Sequence, residues 1–566
     1  MNFTAHHLPS TRGLLLAVIT AAGLATAQAQ AASAATPAAK PKLVVVLVVD
    51  GLPYEQVVRY RHQFGQGGFR RLLEQGASFN DAHQAHGMTL TAVGHAAILT
   101  GAYPNRHGII GNNWIDAKTG KQVYCTDDIN HTYIGEKTDK DDGTSPARLR
   151  VPTLGDELRY ASGNRAKVLT VSGKDRGAIL LAGKTGTAYM YMEESGNFAS
   201  SSYYMKSHPG WVSSFAAGKP QDRYYGKSWT PMLDEAAYVG DSPEIPNPKP
   251  DTVSNFPIKY DSKDGKPDAG YYRRLKLGPY VDELTLDFAR AAVVGENLGK
   301  NPAGVPDLLG ISLSSHDYVN HSFGPESKMS HDHLQQVDRM LAGFFGFLDK
   351  RIGMDNVLVV LTADHGFANV PEYTQARGID AARLEGGKLG EGLAAHLAQK
   401  FAVEGLMRKA SMPTVFFDYE LAERRNIKRA DLEDAAARYV LAQPGVDEVF
   451  TRTQLEAGNT GATRVGQLMQ RAWHRQLSGD LLVVIKPNWI FSYGSGGTSH
   501  GTPHAYDTNV PLILMGQRWI APGSYGEYAE TVDIAPTLSH LLELRKPSAS
   551  VGRVLTEVLR QSVRAR

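Results

Sequence analysis

The 566-residue sequence predicts an α/β protein: one mostly parallel sheet sandwiched by helices, with insertions over the polar edge of that sheet. Three features predict it. Short apolar runs rich in Val, Leu and Ile recur at 43–49, 166–171, 308–313, 356–362, 481–485 and 510–514, the pattern of strands buried on both faces. Stretches of helical period, such as 69–74, 334–349 and 533–542, lie between them. Two long tracts, 183–279 and 370–478, interrupt the alternation and read as insertions within a single domain spanning 43–560.

Composition narrows the function. Hydrophobic content of 42% and charged content of 21% are those of an ordinary globular chain. A formal net charge of +2 lacks the concentrated basic surface that nucleic acid requires. The single cysteine, Cys125, excludes an intramolecular disulfide and any cysteine-rich metal centre, so a metal would have to rest on Asp and His. Arg12 precedes an apolar run over 14–25, and small residues follow with cleavage expected near Ala29 or Ala31. Residues 1–31 therefore read as an export signal and 32–42 as a flexible lead-in. No later stretch reaches about eighteen uninterrupted apolar residues, so the mature chain is expected in the periplasm or outside the cell, without a membrane partner. Nothing in the sequence sets the oligomeric state, and a monomer is compatible with it.

Along the chain, polar residues gather just past the apolar runs. The first run ends in Asp50-Gly51, and ligands of open α/β sheets bind beyond the carboxyl ends of strands. The stretch 88–113 reads as a polar turn and a short helix from about 92 to 99, closed by Gly101 and Pro104. Thr91 falls at that helix's N-terminus, either as a simple cap or as a hydroxyl whose negative charge the helix dipole would favour. After the second run come Lys174 and Arg176, two apart, which an extended segment would point in one direction, as a phosphoryl oxygen cluster needs. The tract from 183 is rich in Tyr and Trp and could line a substrate mouth or serve only as core. Asp317 and His321 are four apart and share a face if helical, and Asp364-His365-Gly366 closes the run at 356–362. The run at 481–485 is read as a return to the core sheet, followed by a glycine-rich loop (Gly494, Gly496, Gly497) and His500 and His504. That loop lacks the Gly-Lys-Ser/Thr ending of a P-loop.

Together, Asp50, Asp317, Asp364 and the histidines form an oxygen and nitrogen ligand set suited to zinc-like ions. Six such ligands and the Thr91 oxygen would fill two sites of about four ligands each. Phosphate-monoester hydrolysis needs accelerations of up to about 10²¹, whereas a positioned acid or base supplies only about 10²–10⁴, so a two-metal clamp is the economical solution.

The ordered set Val-Val-Asp50-Gly, Thr-x-Thr91-x-x-Gly-His, Tyr-Pro-x-x-His-Gly-Ile-Ile-Gly-Asn112, Lys174-x-Arg176, Asp317-x-x-x-His321, Ala-Asp364-His365-Gly and His500-Gly resembles the alkaline phosphatase superfamily. Within it, the sequence is similar to exported bacterial zinc alkaline phosphatases with a threonine nucleophile, of the phosphate-irrepressible type. The resemblance implies that Thr91 is phosphorylated in turnover and also contacts metal. It implies that Asp50, Asp364 and His365 hold one zinc and that Asp317, His321 and a late histidine hold a second. His500, followed by glycine, fits the family pattern better than His504. Asn112, Lys174 and Arg176 would grip the phosphoryl oxygens. His95 and His107 belong to the motif without being ligands, and His316, His331 and His333 are also left outside the metal set. The implied substrates are small phosphate monoesters, with inorganic phosphate as product and inhibitor.

Nucleotide pyrophosphatase/phosphodiesterases share the metal set and the threonine, and only the Lys174/Arg176 pair argues for the more highly charged monoester. A sulfatase would need Cys-x-Pro-x-Arg or its serine form, whereas Cys125 stands in Tyr-Cys-Thr-Asp-Asp. A phosphoglycerate mutase would not normally be exported. A non-catalytic zinc-binding periplasmic protein would keep the ligands but has no need of Thr91.

Overall fold

The computed structural model describes Met1 and residues 39–238, 255–492 and 496–564. The expected export signal, most of the lead-in, part of the first insertion and Gly494 lie outside the described residues. The strands of the two larger sheets, in chain order, are β1 (Leu43–Val49), β2 (Ala77–Phe79), β3 (Val168–Ser172), β4 (Thr187–Tyr191), β5 (Phe198–Ala199), β6 (Asp307–Leu313), β7 (Val357–Thr362), β8 (Met407–Ser411), β9 (Thr414–Phe417), β10 (Val446–Thr451), β11 (Leu481–Ile485), β12 (Leu512–Met515) and β13 (Gly523–Tyr525). The helices that matter for the site and core are α1 (Thr91–Thr100), α2 (Asp175–Ala182), α3 (Tyr280–Gly295), α4 (Ser315–Phe323), α5 (Lys328–Ile352) and α6 (Ile534–Leu542).

The main sheet has nine strands in the order β13-β2-β12-β7-β1-β6-β3-β4-β5. Its centre, β7-β1-β6-β3-β4, is parallel, and antiparallel pairings lie outside that block. Every residue of β1 is buried, and its side chains alternate between two cores. Leu43, Val45, Leu47 and Val49 join the core containing Phe288 of α3 and Leu341 and Phe344 of α5. Val44, Val46 and Val48 join the core containing Ile98 of α1, Leu181 of α2 and Leu538 of α6. The predicted sandwich of helices on both faces is therefore the observed one.

The parallel register explains why the polar residues meet. Val49 pairs with Leu313, and Val48 with Thr362, so β1, β6 and β7 end at one level. Asp50, the start of α4 and Asp364 are delivered to the same edge of three adjacent strands.

Two expectations about elements need correction. The run at 481–485 does not return to the core sheet. As β11 it sits in a separate antiparallel sheet of order β8-β9-β11-β10. One face of that sheet, with Leu481 and Val483, packs on Leu393 and Leu432, and the other, with Leu482 and Val484, on Met469 and Trp473. A continuous apolar run marks a strand buried on both faces without saying which sheet buries it. The second correction concerns the tract from 183. Its first part, β4 and β5, extends the main sheet, because Tyr189, Tyr191 and Phe198 are core side chains there. Trp229, Tyr260 and Tyr271 are likewise buried in the core, so these aromatics serve packing.

Candidate metal centre at the carboxyl edge of the sheet

Asp50 follows β1 and is fully buried. Gly51 turns the chain at φ +70°, and a Cβ there would meet Asp317 Cα at 3.2 Å. The Gly51 N–H donates to Asp364 Oδ1 at 3.0 Å, which ties the ends of β1 and β7 together. Asp317 and His321 lie one turn apart in α4, as predicted, with His321 Nε2 3.4 Å from Asp317 Oδ1. His500 Nε2 lies at the same 3.4 Å from that oxygen. His365 Nε2 is 3.5 Å from both Asp50 Oδ1 and Asp364 Oδ2, and 3.9 Å from Asp317 Oδ1.

The imidazoles are held alike. His321 Nδ1–H donates to the Thr498 carbonyl at 2.9 Å, His365 Nδ1–H to the Gly366 carbonyl at 2.9 Å, and His500 Nδ1–H to the Thr89 carbonyl at 2.7 Å. A carbonyl only accepts, so each ring is fixed in the tautomer that turns an Nε2 lone pair toward the carboxylates, the arrangement that orients histidine ligands of metals. Burial pushes all three imidazoles down, His321 to about 4, which keeps them neutral and available as ligands. The His365 and His500 rings stack at 3.5 Å.

Two groups result. Ligand atoms of Asp50, Asp364 and His365 all lie within 4.8 Å of one another, as do those of Asp317, His365 and His500. His365 thus borders both groups, and His321 stands beside the second. Asp50 Oδ1, Asp317 Oδ1, Asp364 Oδ2 and His365 Nε2 are buried without a hydrogen-bond partner. Buried polar atoms are nearly always satisfied, so converging orphans of this chemistry fit divalent cations.

Charge points the same way. Lys174 Nζ donates to Asp317 Oδ2 at 2.6 Å and lies 2.8 Å from Asp50 Oδ2. One ammonium facing three carboxylates leaves two negative charges uncompensated in a dry centre. Like charges about 4 Å apart repel by roughly 4 kcal/mol at an effective dielectric of 20. Accordingly burial, reinforced by Asp364, pushes the Asp50 carboxyl well above the usual range. Burial also opposes ionisation of Asp317, but the Lys174 ammonium beside it holds that carboxyl low.

Thr91 is the first residue of α1 and is buried. The residue before it, Leu90, occupies the cap position, so Thr91 is not the N-cap. The first turn of α1 presses on Asp364, because a Cβ at Gly94 would lie 2.1 Å from the Asp364 carbonyl oxygen. His95 donates from Nδ1 to the Thr91 carbonyl at 2.8 Å, and its Nε2 lies 2.8 Å from Ser312 Oγ of β6. Asn112 Oδ1 accepts the Ala92 N–H at 2.9 Å, which leaves its amide NH₂ as the free donor beside Thr91. Lys174 and Arg176 do not lie in an extended segment. Lys174 caps α2 with an extended backbone and Arg176 is the helix's second residue, so the pair straddles the helix start. Arg176 Nη1 donates to the Tyr124 hydroxyl at 3.2 Å, and that hydroxyl donates to Asp175 Oδ1 at 2.6 Å. Tyr124 was not singled out from sequence, where only its neighbour Cys125 drew notice.

The other histidines are engaged elsewhere. His504 Nε2 is hydrogen-bonded to the Ile485 carbonyl at 2.7 Å. His316 lies between Gln56 and His333, His331 bonds Gln63, and His107 Nδ1 accepts the Ile109 N–H.

A family model described as type I phosphodiesterase / nucleotide pyrophosphatase matches residues 44–507. The chain belongs to that family. Alkaline phosphatase PhoV of Synechococcus elongatus is 34% identical over 535 residues, covering 92% of this chain and 94% of the relative. Alkaline phosphatase PafA of Elizabethkingia meningoseptica is 34% identical over 555 residues, 96% of this chain and 98% of the relative. A wild-type PafA crystal structure superposes with a TM-score of 0.85 at 32% identity, over 92% of this chain and 99% of that one. Murine ectonucleotide pyrophosphatase / phosphodiesterase 5, at 12% identity and a TM-score of 0.53, shares the fold. The family and the fold agree with the resemblance drawn from the motifs.

Proposed function

We propose that the protein hydrolyses phosphate monoesters to alcohol and inorganic phosphate through a phosphothreonine at Thr91. The observation that carries this reading is the convergence of three buried carboxylates and three inward-facing imidazoles beside a helix N-terminus that bears a hydroxyl. The donor set fits two zinc ions, with Asp50, Asp364 and His365 for one and Asp317, His321 and His500 for the other. When bound, the metals supply Lewis-acid charge and lower the pKa of a coordinated hydroxyl or water.

The chain's own groups do the rest. Thr91 Oγ attacks phosphorus as the bond to the alcohol oxygen breaks, and the positive end of α1 favours the negative charge on that oxygen. The Asn112 amide, anchored through its oxygen, offers N–H donors to a non-bridging oxygen. Arg176, steadied by Tyr124, presents a planar fork to the others. Lys174, whose ammonium now touches Asp50 and Asp317, would turn to the phosphoryl group if cations took over those carboxylates. Water then attacks the phosphothreonine and releases phosphate, which inhibits by occupying the same contacts. The N-terminal apolar run supports an exported location for this activity.

A diesterase reading uses the same nucleophile and metals. A diester carries one unit less charge, so the Lys174 and Arg176 cations favour the monoester. The test compares p-nitrophenyl phosphate with its bis-ester: the expected result is the higher kcat/KM for the monoester, and the reverse order would replace this reading with the diesterase one.

A further inference from the structure

A cavity of 280 Å³ lies between the small sheet and the edge of the main domain, and its wall includes Leu90, Gly111 and His500. These are the immediate neighbours of Thr91 and Asn112 and one of the inward-facing imidazoles. The rest of the wall is mainly apolar. Ile110 and Trp114 come from the main domain, and Met412, Phe416 and Val484 from the small sheet. Consecutive residues of β11, Leu482 to Ile485, border it. The second insertion therefore supplies one wall of a chamber that opens beside the phosphoryl position.

We propose that this chamber receives the alcohol portion of the ester, and that the preferred substrates are monoesters of aromatic or medium-chain aliphatic alcohols. The inference rests on the monoesterase reading for where the phosphoryl group sits. Two observations choose the occupant. Apolar cavities of about 150 Å³ accept a benzene ring, so this one has room for roughly two fused rings or a chain of comparable size. Its lining is mainly apolar, with Asn113, Ser411, Ser478, Ser499 and Thr502 among its few polar side chains, so it suits a hydrocarbon better than a sugar, which would need a partner for every hydroxyl. A group bound equally in ground and transition states changes KM more than kcat, so the chamber should act on KM.

The zinc-loaded protein is assayed with methyl, butyl and hexyl phosphate, whose leaving groups have similar basicity. The expected kcat/KM rises about threefold per added methylene, mostly through KM, and levels off when the chamber is full. Thr414, which also lines the cavity, lies outside the catalytic groups. Thr414→Trp should abolish the chain-length dependence and leave methyl phosphate turnover within about twofold. Phe416→Ala should move the plateau to longer chains, and it carries the test if the tryptophan variant does not fold. Calorimetric binding of methyl, butyl and hexyl phosphonate reads the chamber without turnover. Affinity independent of chain length would overturn the chamber while leaving ester hydrolysis intact. Chain-dependent affinity with no phosphate released from any ester would support the chamber and sink the monoesterase reading instead.

Discussion

Thr91 is held by its backbone on both sides, through its own carbonyl to His95 and through the next N–H to Asn112, while its side chain is left for chemistry. Thr91→Ala should therefore fold, keep its metal content by elemental analysis, and lose p-nitrophenyl phosphate turnover by at least about 10³-fold. Unimpaired turnover would move the nucleophile elsewhere. Lys174→Ala combined with Arg176→Ala should lower monoester kcat/KM by about 10²–10⁴-fold and the bis-ester value far less, because charge-assisted contacts contribute about 1.5–3 kcal/mol each. Equal losses on both substrates would deny the pair its discriminating role. Away from the site, Glu326 is 2% exposed, its Oε1 accepts the Val370 N–H at 3.1 Å, and its Oε2 has no hydrogen-bond partner. Burial pushes this carboxyl up to about 7 from 4.5. Its contribution to stability is therefore complete below about pH 4.5 and is lost as pH rises through about 7. Glu326→Gln should leave the thermal midpoint unchanged near pH 4.5 and gain about 2 kcal/mol over the parent at pH 9.

At the scale of elements, the helix–strand contact at Gly94 is among the tightest supports of the site. With a Cβ 2.1 Å from the Asp364 carbonyl, Gly94→Ala must push α1 away from the end of β7. Overpacking of this kind costs about 1–3 kcal/mol, and the displacement should also weaken zinc retention, read by titration with a chelator. The sequence makes some elements plain and hides others, for physical reasons. Asp50 and Asp364 were legible because a fully buried run of Val and Leu that stops at an acid leaves little doubt where the strand ends. The pairing of Lys174 with Asp50 and Asp317 was not, because the helix starting at Asp175 changes the direction in which 174 and 176 point. The small sheet was illegible for a related reason: its edge strand β8 is Met-Arg-Lys-Ala-Ser, half-buried or exposed, so it carries no apolar pattern to mark it as the partner of β9. Tyr124 gave no signal at all, since its role depends on Arg176, a residue 52 positions away.

For the whole molecule, the metals and the fold depend on each other. The fully buried Asp50 and Asp364 and the almost fully buried Asp317 repel one another unless cations are present. Removing metal with a chelator should abolish turnover and lower the thermal midpoint, and zinc should restore both. Each site filled at about a hundred times its Kd contributes roughly 2.7 kcal/mol. A midpoint indifferent to chelation would mean that the centre is not loaded.

The ligands of one cluster are drawn from positions 50, 364 and 365, and those of the other from 317, 365 and 500. The first set is complete once residue 365 has been made, about two-thirds of the way along, whereas the second waits for residue 500, nearly nine-tenths of the way. Filling of the second site thus reports the finished tertiary arrangement instead of guiding its early steps, and a product terminated before residue 500 would lack that site and be inert.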